Sequence, residues 1–149
     1  MRSGASWRLS GHPDDLVELF TSKIKAGDDN PETFYRRGSA FAQLARYPEA
    51  IVDYTEALSR FKPSLSRHHA HLYVVTLLER AACHTKCNHV EASKSDLEDA
   101  VTQCDSAVIL YPDDQSEFLA VMVEAYSRMG ETERANESAI RLDESFRRT

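Results

Sequence analysis

Apolar residues along this chain recur at spacings of three, four and seven, the period of a helix with one buried face, and no run alternates as a half-buried strand would. Leu16, Phe20 and Ile24 form one stripe, widened by Val17. Asp14, Asp15 and Glu18 sit toward its start, Lys23 and Lys25 toward its end, and Gly27 follows as a stop. This predicts a helix over 13–26. Asn30 is suited to cap a second helix that opens on Pro31 and runs to Ala45, and Pro48 opens a third that runs to Phe61. Only Arg46 and Tyr47 separate these two, so they must fold back antiparallel. The pattern continues over 65–87, 91–110 and, as a last pair, 114–147, where Gly130 ends the first helix. About seven helices result, and the fold class is all-α.

Small residues sharpen the picture. Gly38 and Ala40 lie inside the second helix, Ala50 and Ala57 inside the third, with Phe34, Phe41, Tyr47, Tyr54 and Leu58 between them. An interior glycine costs about 1 kcal/mol relative to alanine. Close approach of a neighbouring helix, large side chain against small, offsets that cost.

Phe34, Gly38, Phe41, Ala50, Tyr54, Ala57 and Pro63 together resemble a tetratricopeptide repeat, a helix–turn–helix unit of about 34 residues. Arg37 stands where that family usually has leucine, and Pro63 comes one residue late. Ala100, Cys104, Ala107 and Pro112 resemble the second half of another unit. With Ala81 in the place of Gly38, 19 residues lead to Ala100 where 12 lead from Gly38 to Ala50. The surplus of seven, about two turns, is expected to lengthen the hairpin tip around Lys86 to Lys94. Tyr126, Gly130 and Ala135 mark a third unit, whose buried stripe Met122, Val123, Ala139 and Leu142 complete. The resemblance implies a right-handed α-solenoid of antiparallel helix pairs in a single domain over 13–149. Residues 31–63, 65–112 and 114–147 are its repeats. Residues 13–27 form a capping helix or the second half of a worn-down repeat.

Charge narrows the partners. The net charge is −6. Residues 1–89 hold 12 Lys and Arg against 10 Asp and Glu, whereas residues 90–149 hold 6 against 14. An acidic second half argues against nucleic acid, and no apolar run is long enough for membrane insertion. Residues 1–12 carry Arg2, Arg8, Trp7 and no acid. They read as a tail, Trp7 pinning it to the first helices, and their composition also admits mitochondrial import. Three cysteines without disulfide-like spacing suit an intracellular compartment, the cytoplasm.

Chemistry is sparse. Cys83, His84, Cys87 and His89 invite a metal reading, but His84 falls off the face shared by the two cysteines, and Cys83 suits a small core position. His68, His69 and His71 lie near a helix start and read as surface residues. No nucleophile motif or phosphate loop is present, so no enzyme activity and no cofactor is expected. Binding remains. By the resemblance, first helices line a concave groove that takes a protein or peptide. Its residues would be Tyr35, Arg36, Ser39 and Gln43 from the first repeat. The second would contribute Val75, Leu78, Glu79 and Ala82, and the third Glu117, Ala120, Val121 and Glu124. Tyr35, Ser39, Glu79 and Val121 replace the basic and amide residues with which chaperone-binding members hold an acidic C-terminus, although Arg36 could hold a single carboxylate. The chain therefore reads as an interaction adaptor or scaffold, working through the groove, the middle hairpin or both. The alternatives are a structural subunit fixed in a large assembly and, more remotely, a metal-binding protein.

Overall fold

Four helix ends close with one and the same turn. At each, the residue after the cap takes a left-handed backbone: Gly27 (φ 102°), Ala45 (φ 59°), Asn88 (φ 62°) and Gly130 (φ 76°). The next backbone N–H then reaches back to a carbonyl five residues earlier. The pairs are Asp28 to Lys23 (3.0 Å), Arg46 to Phe41 (2.9 Å), His89 to His84 (2.8 Å) and Glu131 to Tyr126 (2.9 Å). This closure satisfies the last carbonyls of the helix and reverses the chain. Three of these turns are hairpin tips and the fourth, at Gly27, links the first described helix to the hairpin that follows it.

The computed structural model describes residues 11–147, and the expectations for Arg2, Trp7 and Arg8 fall outside them. The helices are α1 (Pro13–Lys25), α2 (Pro31–Gln43), α3 (Tyr47–Arg60), α4 (Arg67–Lys86), α5 (Val90–Leu110), α6 (Gln115–Arg128) and α7 (Thr132–Arg147). A 3-10 turn, Pro112–Asp114, joins α5 to α6. The Asn30 side chain accepts the Glu32 N–H at 2.9 Å, as its cap position requires. Among the described residues there is no strand. The chain is an all-α solenoid of antiparallel helix pairs. Each helix packs on its chain neighbours, and α2 also touches α4 and α4 touches α6. The second helices of successive pairs make no comparable contact, so the stack curves with α2, α4 and α6 on its inner side.

The core runs the length of the stack. Ala70, Val74, Leu77, Ala81, Leu97, Ala100, Cys104, Phe118, Leu119 and Met122 form its larger part. Phe41, Ala50, Tyr54 and Cys83 join the first pair to the second. Gly38 shows why a glycine stands there: a Cβ would meet the Tyr54 ring at 2.9 Å and the Asp53 Cβ at 3.2 Å. Ala139 departs from its expected burial and is exposed, because α7 packs on α6 and no later described helix covers its far side.

The added residues of the middle hairpin are not at its tip. Its turn repeats that of the first hairpin at an offset of 43 residues: Ala45 and Asn88 share the left-handed backbone, and α3 and α5 begin at Tyr47 and Val90. α4 has 20 residues against 13 in α2, and α5 has 21 against 14 in α3. Seven are added to each helix at its open end, away from Lys86 to Lys94. In this register Ser93, not Ala100, is the counterpart of Ala50, and Ala100 that of Ala57. Seven residues are close to two turns, so the second half of the repeat pattern fits α5 equally well one heptad late. The overhang is tied down on one side. The Tyr111 hydroxyl donates to the Pro63 carbonyl at 2.9 Å, and Arg67 pairs with Glu117 at 2.9 Å. Beside it, where α3 has already ended, a hollow of about 370 Å³ opens between Pro63, Ala70, Ala107 and Leu110.

Candidate functional site

Residues 35, 36, 39 and 43 of α2 recur at helical spacing, which sets Tyr35, Arg36, Ser39 and Gln43 on one face. Glu79, on α4, is carried against that face by the contact of α2 with α4. α1 closes the third side with Leu16 and Phe20. The result is a cavity of about 600 Å³ lined by these residues with Ala40 and Ala42. Five of the twelve groove residues expected from sequence therefore meet in one place.

The Glu79 carboxylate forms the polar end of the cavity. Tyr35 donates its hydroxyl to Oε2 at 2.7 Å, Tyr54 to Oε1 at 2.9 Å, and the Ser39 hydroxyl lies 3.3 Å from Oε1. Tyr54 is fully buried, so its ring is fixed and its hydroxyl is aimed. Burial, reinforced by the Glu79 charge, raises both phenols well above their ordinary value of 10, so they remain donors at any physiological pH. Behind the site, burial first and then Glu79 push the Cys83 thiol up to about 11, which keeps it a neutral packing group and a poor nucleophile. Arg36, on the cavity wall, is engaged elsewhere. It pairs with Glu32 at 2.9 Å, and Glu32 also takes His68 at 3.2 Å. The carboxylate expected for Arg36 is thus supplied by its own helix.

The other expected groove residues go elsewhere. Leu78 and Val121 are a correction: both are buried in the main core and present nothing to a groove. A residue facing a neighbouring first helix is inside the curve and covered by it. Ala82 is exposed but borders a separate hollow with Thr85 and Arg128. Glu117 is paired with Arg67, Glu124 with Arg128, Val75 is half-buried and Ala120 is exposed. Cys83 and Cys104 are buried, and among the described residues no three His, Cys, Asp or Glu side chains are grouped to hold a metal ion.

Sequence reasoning missed a polar clasp. Arg37 grips Asp53 through two hydrogen bonds of 2.7 Å and reaches Thr21 of α1 at 3.2 Å. Arg80 grips Asp96 at 2.6 and 2.8 Å and reaches Thr55 of α3 at 3.0 Å. Each arginine ties its own hairpin and then the helix before it. The signal was present: arginine and aspartate 16 apart, twice, 43 residues apart. Thr21 of α1 stands to Arg37 as Thr55 of α3 stands to Arg80.

No protein-family profile matches the chain, and no curated protein matches it. Among solved structures the chain is similar to that of a MamA double mutant, MamA RS-1 ArsTM, at 17% identity over 97% of this chain and 92% of that one, with a TM-score of 0.37. At so low a score the helix arrangement stands on the contacts of this chain alone.

Proposed function

We infer that this chain is a non-enzymatic adaptor of the tetratricopeptide type that binds a segment of a partner protein between α1, α2 and α4. The supporting observation is the cavity of about 600 Å³ on the inner face, in which helical spacing and packing bring Tyr35, Arg36, Ser39, Gln43 and Glu79 together. Its size suits a few side chains of a bound segment, and its mixture of apolar walls with convergent polar groups is typical of recognition sites. Among the described residues no helix is long and apolar enough to cross a membrane, in keeping with partners that are proteins or peptides. A photo-crosslinking residue at Gln43 tests this reading. It should give an adduct with a partner protein in cells, while the same residue at exposed Glu133 on α7 gives none. No adduct at Gln43, or equal adducts at both, would refute it.

The hollow beside the overhang favours a second reading, a structural subunit of a larger assembly. Leu110, which lines it, is 56% exposed, and Leu65 and Ile109, next in sequence to its lining residues Ser64 and Leu110, are 75 and 79% exposed. Adducts from Ile109 with none from Gln43 would select that reading.

A further inference from the structure

We propose that the cavity takes one arginine side chain of the partner segment, with Glu79 as its counter-charge. This rests on the adaptor reading above and specifies the chemistry of the residue bound.

Among the described residues, the cavity lies on the side of α1 that no further helix covers. Phe20 precedes Thr21 as Tyr54 precedes Thr55, so Phe20 occupies in α1 the station that Tyr54 occupies in α3. Tyr54 is covered by Gly38 from the first helix of its own pair. No described helix plays that part for α1, and Phe20, itself buried, lines the cavity with Leu16.

The charge in that space is uncompensated. Glu79 is held by three neutral hydroxyls, and among the described residues no lysine, arginine or histidine pairs with it. A carboxylate has about four acceptor positions. Tyr35 takes one on Oε2, and Tyr54 and Ser39 take those on Oε1, which leaves one on Oε2 at the cavity. Arg36, the cation on the cavity wall, is paired with Glu32. A half-buried anion fixed by donors that do not cancel its charge is the complement of a cation brought from outside. The apolar walls, Leu16, Phe20, Ala40 and Ala42, fit an aliphatic stem. Arginine suits the site better than lysine. Its planar guanidinium is more weakly hydrated, loses less on leaving water, and can lie against the Tyr35 ring while donating to Oε2.

The test is a titration of the full-length, nitrogen-15-labelled protein with the blocked peptide acetyl-Ala-Ala-Arg-Ala-Ala-amide and versions with lysine, citrulline or glutamate at the centre. The arginine peptide should shift the amides of Phe20, Tyr35, Ser39 and Glu79. Citrulline keeps the shape and removes the charge, and should bind about tenfold more weakly. Glu79→Gln keeps an acceptor for the tyrosines, so it should fold as wild type, seen by an unchanged amide spectrum away from the cavity, and lose about tenfold in affinity for the arginine peptide. Arg36→Glu should tighten binding a few-fold. Equal binding of arginine and citrulline, undiminished binding by Glu79→Gln, or preference for the glutamate peptide would overturn the proposal. So would a tenfold gain in full-length Arg2→Gln/Arg8→Gln, which would assign the subsite to the chain's own arginines. If the arginine peptide fails while Gln43 still crosslinks to a partner, the adaptor reading stands and the arginine assignment falls. If the peptide binds and Gln43 yields no adduct, the opposite holds.

Discussion

The first hairpin (α2 and α3) and the second (α4 and α5) are built on one plan at one end and differ at the other. From the tip inward they correspond residue for residue at an offset of 43: Ala45 with Asn88, Phe41 with His84, Gly38 with Ala81, Arg37 with Arg80, Asp53 with Asp96, Tyr54 with Leu97. At the open end the second hairpin continues for seven more residues on each helix. The correspondence covers the turn and the clasp, and it ends where neither is present. Polar geometry, which tolerates no slip, fixes the register. Apolar length is free to grow by whole heptads, because seven residues return the chain to nearly the same face. The sizes of packed pairs follow the same logic. Glycine opposite tyrosine in the first hairpin becomes alanine and leucine in the second, a trade of volume across the interface.

The largest expected effect comes from breaking the clasp. Asp53 is buried, so Arg37→Met leaves an unpaired charge and should cost about 3–5 kcal/mol in urea unfolding. In the third hairpin (α6 and α7) the same stations hold Met122 and Ser138. Arg37→Met/Asp53→Ser, which copies them, should recover all but about 1 kcal/mol, since an apolar replacement of a buried pair is often close to neutral. If the double variant were as unstable as the single one, the clasp would matter for its shape and not its charge.

The volume trade comes next. Gly38→Ala gains about 1 kcal/mol of helix propensity, but its methyl lies 2.9 Å from the Tyr54 ring, and overpacking of that kind costs about 1–3 kcal/mol. A net loss is expected. Tyr54→Leu added to it recreates the second hairpin's pair, and the double-mutant cycle should show a coupling of about 1 kcal/mol or more. Additive losses would mean that the two positions do not share one volume.

The tips differ by smaller amounts. Ala45 holds a left-handed backbone that costs an L-residue about 1–2 kcal/mol, so Ala45→Gly should stabilise the protein by up to about 1 kcal/mol. Asn88→Gly should gain less, since asparagine tolerates that conformation. Thermal midpoints of the two variants compare the tips directly.

The smallest difference depends on pH. Phe41 has no charge, whereas its counterpart His84 is held below its ordinary 6.5 by burial, with Arg80 and His89 opposing protonation and Asp96 favouring it. Above that value His84 is neutral in the folded and unfolded chain alike. As pH falls through 6.5, the unfolded chain takes up the proton first and stability declines. His84→Phe should flatten the decline between about pH 7 and 5 in chemical unfolding. An unchanged slope would mean that other groups set it.

Much of the fold was legible because helical periodicity, caps and small residues act locally. Asn30, Gly27, Gly130 and the Gly38–Tyr54 contact all do what their residue types require. The position of the added turns was not legible, because a heptad shift leaves the apolar pattern almost unchanged and only the Arg–Asp spacing separates the two registers. Of the cavity's lining, Tyr35, Arg36, Ser39, Gln43 and Glu79 were named from the family resemblance. Leu78 and Val121 were misplaced because a helix between two neighbours buries more than one stripe, and sequence does not mark which edge the next helix covers. Tyr54 read as a core residue, which it is. That its hydroxyl also reaches Glu79, 25 residues away, depends on tertiary packing alone.

The clasps also decide how the stack comes apart. Arg37 ties α1, α2 and α3 into one cooperative block, and Arg80 ties α3, α4 and α5 into another that shares α3 with the first. Neither block can open without exposing a buried carboxylate. The third hairpin, with Met122 where the arginines stand, has no such tie, so its amides should be the first to exchange with solvent deuterium while those of α3 are the last.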